Sequence, residues 1–158
     1  AAGCPIALGT DNNTNDIFEV MRVALMTERV KRDDERPGLR PQPEDILEDA
    51  TQGGARAVHI PGLSGTLEVG KKADLLVLDT QRIHLVPAMR ILSAWMHNGQ
   101  PSDIESVMVD GQFIMRDRKI LTLDEAAIIA EADKVGRRVW DKILSAGPVP
   151  IPGRPTPR

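Results

Sequence analysis

Cysteine is close to absent. Cys4 is the one thiol in 158 residues, which excludes an internal disulfide framework and any cysteine-based zinc site within one copy of the chain. A reducing, cytoplasmic setting is the expectation. Cys4 itself, followed by Pro5 and an apolar run, reads as a buried structural thiol rather than a nucleophile. No stretch approaches 18 consecutive apolar residues, so no transmembrane helix is predicted. No charge of one sign prevails either: Lys and Arg total 20, Asp and Glu 23, for a net charge of -3. Residues 1–60 hold 7 basic and 11 acidic side chains and residues 61–158 hold 13 and 12, so neither half is a polyelectrolyte. Nucleic acid and membrane are therefore not the expected partners, and the short basic pairs Lys71-Lys72 and Arg137-Arg138 read as solvated faces. Ala1–Pro5 has neither an initiator Met nor a signal-peptide pattern. The expectation is a processed N-terminus or a chain that begins inside a longer protein.

Local catalytic motifs are missing as well. The three histidines, His59, His84 and His97, form no His-x-His or His-x-x-x-His pair, whereas a hydrolytic zinc site commonly takes three protein ligands and a water. Taken singly, each reads as a surface or core residue. No Gly-x-Ser-x-Gly elbow occurs, and Gly62-Leu63-Ser64-Gly65 lacks the spacing and the lysine of a phosphate loop, so it reads as a turn. With 41% hydrophobic and 27% charged residues the composition is that of a globular chain. The length falls well short of the roughly 250 residues of a complete (β/α)8 barrel.

What is present begins with residues 4–10, a short apolar run bounded by turn residues, which predicts a strand buried on both faces as in parallel sheets. Polarity then sets in abruptly over Asp11–Asp16, which holds several good N-caps. Ile17, Val20, Met21, Ala24 and Leu25 follow at the spacing of an amphipathic helix reaching about Val30. Residues 31–43 carry Pro37, Pro41 and Pro43 around Gly38 and read as a loop. Pro43 opens a second helix with Ile46, Leu47 and Ala50 on one face and Gly53-Gly54 as its stop, and a short helical turn over 55–58 follows. The turn-rich stretch 60–65 is the natural boundary.

Beyond it come short strands and tight turns. Leu75–Leu78 is continuously apolar and predicts a well-covered strand. Residues 89–96 predict a short helix, with Trp95 either in the core or facing a partner domain. Asp110-Gly111 between two apolar runs predicts a hairpin with a type I′ turn. Thr122, three residues before Glu125, has capping-box spacing for a long helix to about Ala146, striped by Ile128, Ile129, Val135, Val139, Trp140 and Ile143. The tail 148–158 has five prolines in eleven residues and predicts an extended or disordered end.

One carboxylate stands out. Asp11 follows the C-terminal end of the apolar run 4–10, where α/β folds collect ligands and catalytic groups. From spacing alone two readings stand: Asp11, Asn13 or Thr14 caps the following helix, or Asp11 carries chemistry.

Three segments in order, Ile6-Ala7-Leu8-Gly9-Thr10-Asp11-Asn12-Asn13, Ala50-Thr51-Gln52-Gly53-Gly54-Ala55 and Gly65-Thr66-Leu67-Glu68-Val69-Gly70-Lys71-Lys72-Ala73-Asp74-Leu75, followed by Val107-Met108-Val109-Asp110-Gly111, resemble the C-terminal part of the amidohydrolase superfamily. The resemblance spans about residues 5–146 and is strongest to the branch of cytosine, guanine and S-adenosylhomocysteine deaminases and triazine chlorohydrolases. The Leu-Glu-x-Gly-Lys-x-Ala-Asp string is its most specific piece. The resemblance implies an α/β fold: the C-terminal part of a metal-dependent (β/α)8 barrel, comprising strand eight and the helices after it, with part of a small β-sandwich and a long C-terminal helix. It implies residues 1–59 as the last barrel strand and helices, 60–122 as the sandwich portion, 123–147 as the helix and 148–158 as the tail.

By the same resemblance Asp11 is a ligand of a divalent metal, zinc first with iron as the alternative, and a general base that takes a proton from the water attacking the ring. Thr10, Asn12 and Asn13 would orient it or line the pocket mouth. The implied partners are a small heterocyclic substrate, the N-terminal barrel portion and a second copy in a homo-oligomer. The His-x-His and the middle-strand histidines of the family have no counterpart here, and neither His59 nor His84 maps onto a ligand. The segment alone is therefore expected to be inactive. The Leu-Glu-x-Gly-Lys-x-Ala-Asp string is expected to be structural. The implied activity is hydrolysis of a C–N or C–Cl bond on a nitrogen heterocycle, deamination first. A cyclic-amide hydrolase of the same superfamily and a non-catalytic assembly or binding module are the alternatives.

Overall fold

The computed structural model describes residues 4–11, 14–32 and 40–147. The Pro-rich tail 148–158 and most of the loop 31–43 lie outside them. Two compact units divide the chain, Ala1–Lys119 and Ile120–Arg158.

In the first unit α1 spans Ile17–Arg32, as its periodicity predicts. A second helical stretch follows in three parts: α2, Pro43–Glu48, a π-helical turn, Asp49–Gly53, and α3, Gly54–Ala57. Pro43 opens α2 as expected, and the Asp45 carboxylate accepts from the Gln42 backbone N–H at 2.8 Å. Gly53-Gly54, expected as the stop, lies inside the helical stretch with both residues in right-handed conformation. Its end comes at His59, whose φ of 63° supplies the left-handed turn.

The run 4–10, read from sequence as a strand, pairs with no other described segment and forms no strand. A parallel strand exists only through ladder bonds to neighbours, and none of the described segments offers them. Cys4, expected to be buried, is exposed for the same reason.

The rest of the unit contains β1, Leu75–Leu78, α4, Ile91–Asn98, a 3-10 turn, Pro101–Asp103, β2, Ile104–Val109, and β3, Gln112–Arg116, with β4, Lys119–Ile120, at its end. The strands form one antiparallel sheet in the order β1-β2-β3-β4. Val109 pairs with Gln112 across Asp110 and Gly111, whose φ of 50° and 79° are those of the predicted type I′ turn. β1, expected to be well covered, pairs on one side only and leaves Leu76 and Val77 exposed.

The core lies where α1, α2 and α4 meet. Phe18, Met21, Leu25, Ile46, Leu85, Trp95 and Met96 form it, and Phe18 meets Trp95 edge-on with ring centroids 4.6 Å apart. Trp95 is thus a core residue, which resolves its two readings. Gly99 is required beside it, since a Cβ there would overlap the Trp95 indole edge. Arg22 reaches from α1 to the C-terminal end of α4, donating to the Met96 and Gly99 carbonyls at 3.2 and 2.5 Å. A cation is favourable at that end of a helix, where carbonyls lack partners.

The Leu67–Asp74 string is a clasp. Asp74 accepts from the Asp110 backbone N–H at 2.7 Å and from the Ser64 hydroxyl at 2.9 Å, and Lys72 pairs with the Asp110 carboxylate. Asp74 therefore ties the hairpin turn to the 60–65 turn, the structural role expected of the string. These two bonds hold its carboxyl below the usual aspartate range.

In the second unit α5 spans Glu125–Ser145. Its cap is Asp124, whose carboxylate accepts from the Ala127 N–H at 3.0 Å, so the Thr122–Glu125 capping box does not form; Thr122 lies two residues outside the cap. Asp133–Arg137 and Glu131–Lys134 pair along the helix. Among the described residues no helix is long and apolar enough to cross a membrane.

Two outcomes follow. Leu25→Ala, at a fully buried site, lowers unfolding free energy by about 2–5 kcal/mol in urea melts. The folded-state pKa of Asp74 is depressed, so its stabilising effect is complete above the unfolded value of about 3.9 and is lost as pH falls through the lower folded value. The stability gap between wild type and Asp74→Ala should therefore be present at pH 7 and close in acid melts well below pH 4.

Candidate functional site

Asp11 ends the extended segment 4–11 with φ of 50°, in the left-handed region that costs most non-glycine residues energy and that Asp tolerates better than most. It is exposed, and no hydrogen bond or ion pair to it exists among the described residues. The capping role belongs elsewhere. The Asp16 carboxylate accepts from the Phe18 N–H at 2.9 Å, and the Thr14 hydroxyl accepts from the Asp16 N–H at 3.0 Å. Asp16 therefore caps α1, Thr14 supports it, and Asp11 is left free. Of the two readings open from spacing, helix capping by Asp11 or Thr14 is removed: Thr14 bonds ahead of the helix, to Asp16. Asn12 and Asn13, the proposed pocket residues, lie outside the described residues.

Asp11, Thr10 and Thr14 stand on the wall of an open groove of about 710 Å³, whose aliphatic lining includes Ile6, Leu8, Val20, Val23 and Ile46. Asp49, in the π turn, lines the same groove. Burial raises its carboxyl above the usual aspartate range, and the neighbouring Glu48 and Asp45 charges add to the effect. Sequence reading missed Asp49, because an acid in mid-helix carries no signal until the π turn sets it beside the groove.

The histidines lie elsewhere, and two of them are engaged. His84 Nε2 lies 3.0 and 2.9 Å from the two carboxylate oxygens of buried Asp103, which also accepts from the Gln100 N–H at 2.8 Å. His97 Nδ1 faces the Ser93 carbonyl at 2.8 Å and its Nε2 faces Arg29 at 3.4 Å. His59 is exposed at the end of α3. None lines the groove.

Among the described residues no three His, Cys, Asp or Glu side chains gather. The unpartnered, exposed Asp11 carboxylate is a hard oxygen donor suited to one position around a divalent ion. These residues do not compose a complete metal site.

The model of the amidohydrolase family matches residues 1–114. A 5-methylthioadenosine/S-adenosylhomocysteine deaminase of Desulforudis audaxviator is 35% identical over 147 residues, covering 90% of this chain and 34% of that protein. The crystal structure of an adenosine deaminase from Xanthomonas campestris with bound zinc superposes with a TM-score of 0.78 at 28% identity, over 85% of this chain and 31% of that one. Atrazine chlorohydrolase from Arthrobacter aurescens, complexed with zinc, superposes with a TM-score of 0.75 at 22% identity over 84% of this chain and 30% of that one, a likeness of fold alone. The chain spans about a third of the length of the curated relatives it matches.

The division of labour at the elbow predicts opposite responses. Asp16→Ala lowers unfolding free energy by about 1 kcal/mol through loss of the cap, whereas Asp11→Asn, with no bond to lose and equal tolerance of positive φ, changes it by less than about 0.5 kcal/mol. A loss at Asp11 as large as at Asp16, in the same denaturant titration, would restore Asp11 to a capping role.

Proposed function

The chain belongs to the amidohydrolase family, and from that premise we propose that it is the C-terminal portion of a metal-dependent hydrolase that deaminates an aminopurine nucleoside. The observation that carries the proposal is the carboxylate of Asp11: exposed, in left-handed backbone, without a hydrogen bond to any of the described residues, and not the cap of the helix that follows it. Left-handed backbone at a non-glycine residue is enriched at functional sites, and at Asp11 it coincides with the wall of the groove. The names of the deaminase relatives support the reaction and the purine class, and the zinc in the Xanthomonas structure supports the choice of metal.

In this reading residues 4–10 are the eighth barrel strand, paired with strands from the remaining two thirds of a relative-length protein, which also supply the other metal donors. Residues 60–122 complete the sandwich, 123–147 form the C-terminal helix and 148–158 the tail. The assembled enzyme is a cytoplasmic homo-oligomer. A divalent metal in such a site polarises water and makes it a nucleophile at neutral pH. Asp11 would supply one anionic oxygen donor to that metal, and its carboxylate would accept the proton of the water whose oxygen adds to the ring carbon and return it to the amine as the C–N bond breaks. Among the described residues nothing hydrogen-bonds to its side chain, which leaves both oxygens available for those tasks. Thr10 and Thr14 flank it on the groove wall.

In the enzyme of full relative length, Asp11→Ala is expected to lower deamination of an adenosine-type substrate by about 10³-fold or more and to reduce metal per chain by elemental analysis, with the thermal melting profile kept. An active, metal-replete Asp11→Ala enzyme would remove the proposal.

A further inference from the structure

The helical stretch 43–57 widens at one place, the π turn Asp49–Gly53, and the backbone of Ile6 sits against it. A Cβ on Gly53 would overlap the Ile6 carbonyl oxygen and stand 3.5 Å from the Glu48 carbonyl. The adjacent Gly54 has nothing within 4 Å of its Cβ position. Gly53 is buried and in ordinary right-handed conformation with φ of -57°, so its lack of a side chain serves close approach and not an unusual φ. The π turn itself is bridged on its exposed side by the Thr51 hydroxyl, which donates to the Leu47 carbonyl at 2.7 Å. π turns interrupt helices at a cost and recur near functional sites.

From these contacts we infer that Gly53 and the π turn around it are a socket for the Ile6 backbone, and that Gly53 is a positioning residue for Asp11, five residues further along the same extended segment. The inference rests on the proposed role of Asp11. A methyl group at position 53 must displace the Ile6 carbonyl, since the Cβ is fixed by the main chain of a helical residue and the carbonyl is itself main chain, so neither can rotate away. The displaced Ile6 carbonyl belongs to the same main chain that carries Asp11 five residues on, so the shift passes along that segment toward it. Reacting groups lose about 10²-fold in rate for a misplacement near 1 Å.

The test compares neighbouring glycines in the enzyme of full relative length. Gly53→Ala is expected to lower kcat by about 10-fold or more with KM within about twofold, and to speed hydrogen exchange at the amides of residues 6–11. Gly54→Ala, which meets nothing, keeps kcat, KM and exchange at wild-type values. Leu85→Ala serves as a core control that lowers the melting temperature while leaving kcat within about twofold. If Gly53→Ala does not fold, Thr51→Val loosens the π turn from its exposed side and is expected to lower kcat by about threefold with KM unchanged. A Gly53→Ala enzyme that melts earlier but keeps wild-type kcat and exchange would make Gly53 a packing residue only. So would a non-folding Gly53→Ala together with an unaltered Thr51→Val. Asp11→Asn separates the two failures. If it is inactive while Gly53→Ala retains full kcat, the socket inference falls and the role of Asp11 stands; if it is active, the role of Asp11 itself falls.

Discussion

The edge-on contact between Phe18 and Trp95 is where the first compact unit is joined. Phe18 belongs to the helix that follows the Asp11 elbow, and Trp95 to a helix more than seventy residues later, between two strands of the sheet. Around that pair Met21, Leu25, Ile46, Leu85 and Met96 leave water together, and Arg22 adds hydrogen bonds to the end of α4. Burial of these side chains supplies most of the driving force, while the arginine fixes orientation by pairing carbonyls that a helix end leaves open. Because α1 starts at Asp16, a helix held this firmly also fixes one end of the polar elbow. The other end is held by the Ile6 backbone against Gly53.

The elbow shows how similar residues divide their work. Asp11, Asp16 and Thr14 are all short polar side chains suited to helix capping, and spacing cannot rank them. The structure does, because only Asp16 places an oxygen on the Phe18 N–H with Thr14 behind it. Among the described residues nothing bonds to the Asp11 side chain, which is the physical support for the chemical role proposed for it. Two of the three histidines show the reverse: His84 and His97 are each engaged in holding a loop or a helix end.

Much of the architecture was legible from local pattern. Apolar residues from Ile17 to Leu25 at helical spacing, Pro43 at a helix start, and Asp110-Gly111 between two apolar runs each correspond to an element with one low-energy local solution. What was not legible depends on partners distant in sequence. Residues 4–10 have the composition of a buried strand, yet a strand is defined by its neighbours, and no described segment pairs with it. Gly53-Gly54 looks like a helix stop because glycine commonly is one, whereas Gly53 is set by the approach of Ile6. The tight turn at Asp117-Arg118, with φ of 48° and 60°, has no glycine to announce it. Arg118 is held there by bonds to the Asp79 carboxylate, the Ser102 carbonyl and, through its own N–H, the Glu105 carbonyl. For the candidate site, Asp11 is singled out in the sequence by its place after an apolar run and by family resemblance, while Asp49 and Gly53 are visible only in three dimensions.

The family match covers residues 1–114, which contain the elbow, the helical stretch and the whole clasp about Asp74. The proposed metal-binding role of the Asp11 carboxylate is decided by a crystal structure of the enzyme of full relative length grown with zinc. An Asp11 oxygen at about 2.0–2.2 Å from the ion is the predicted result, and a metal held entirely by other residues, with Asp11 turned to the first turn of α1, would contradict it.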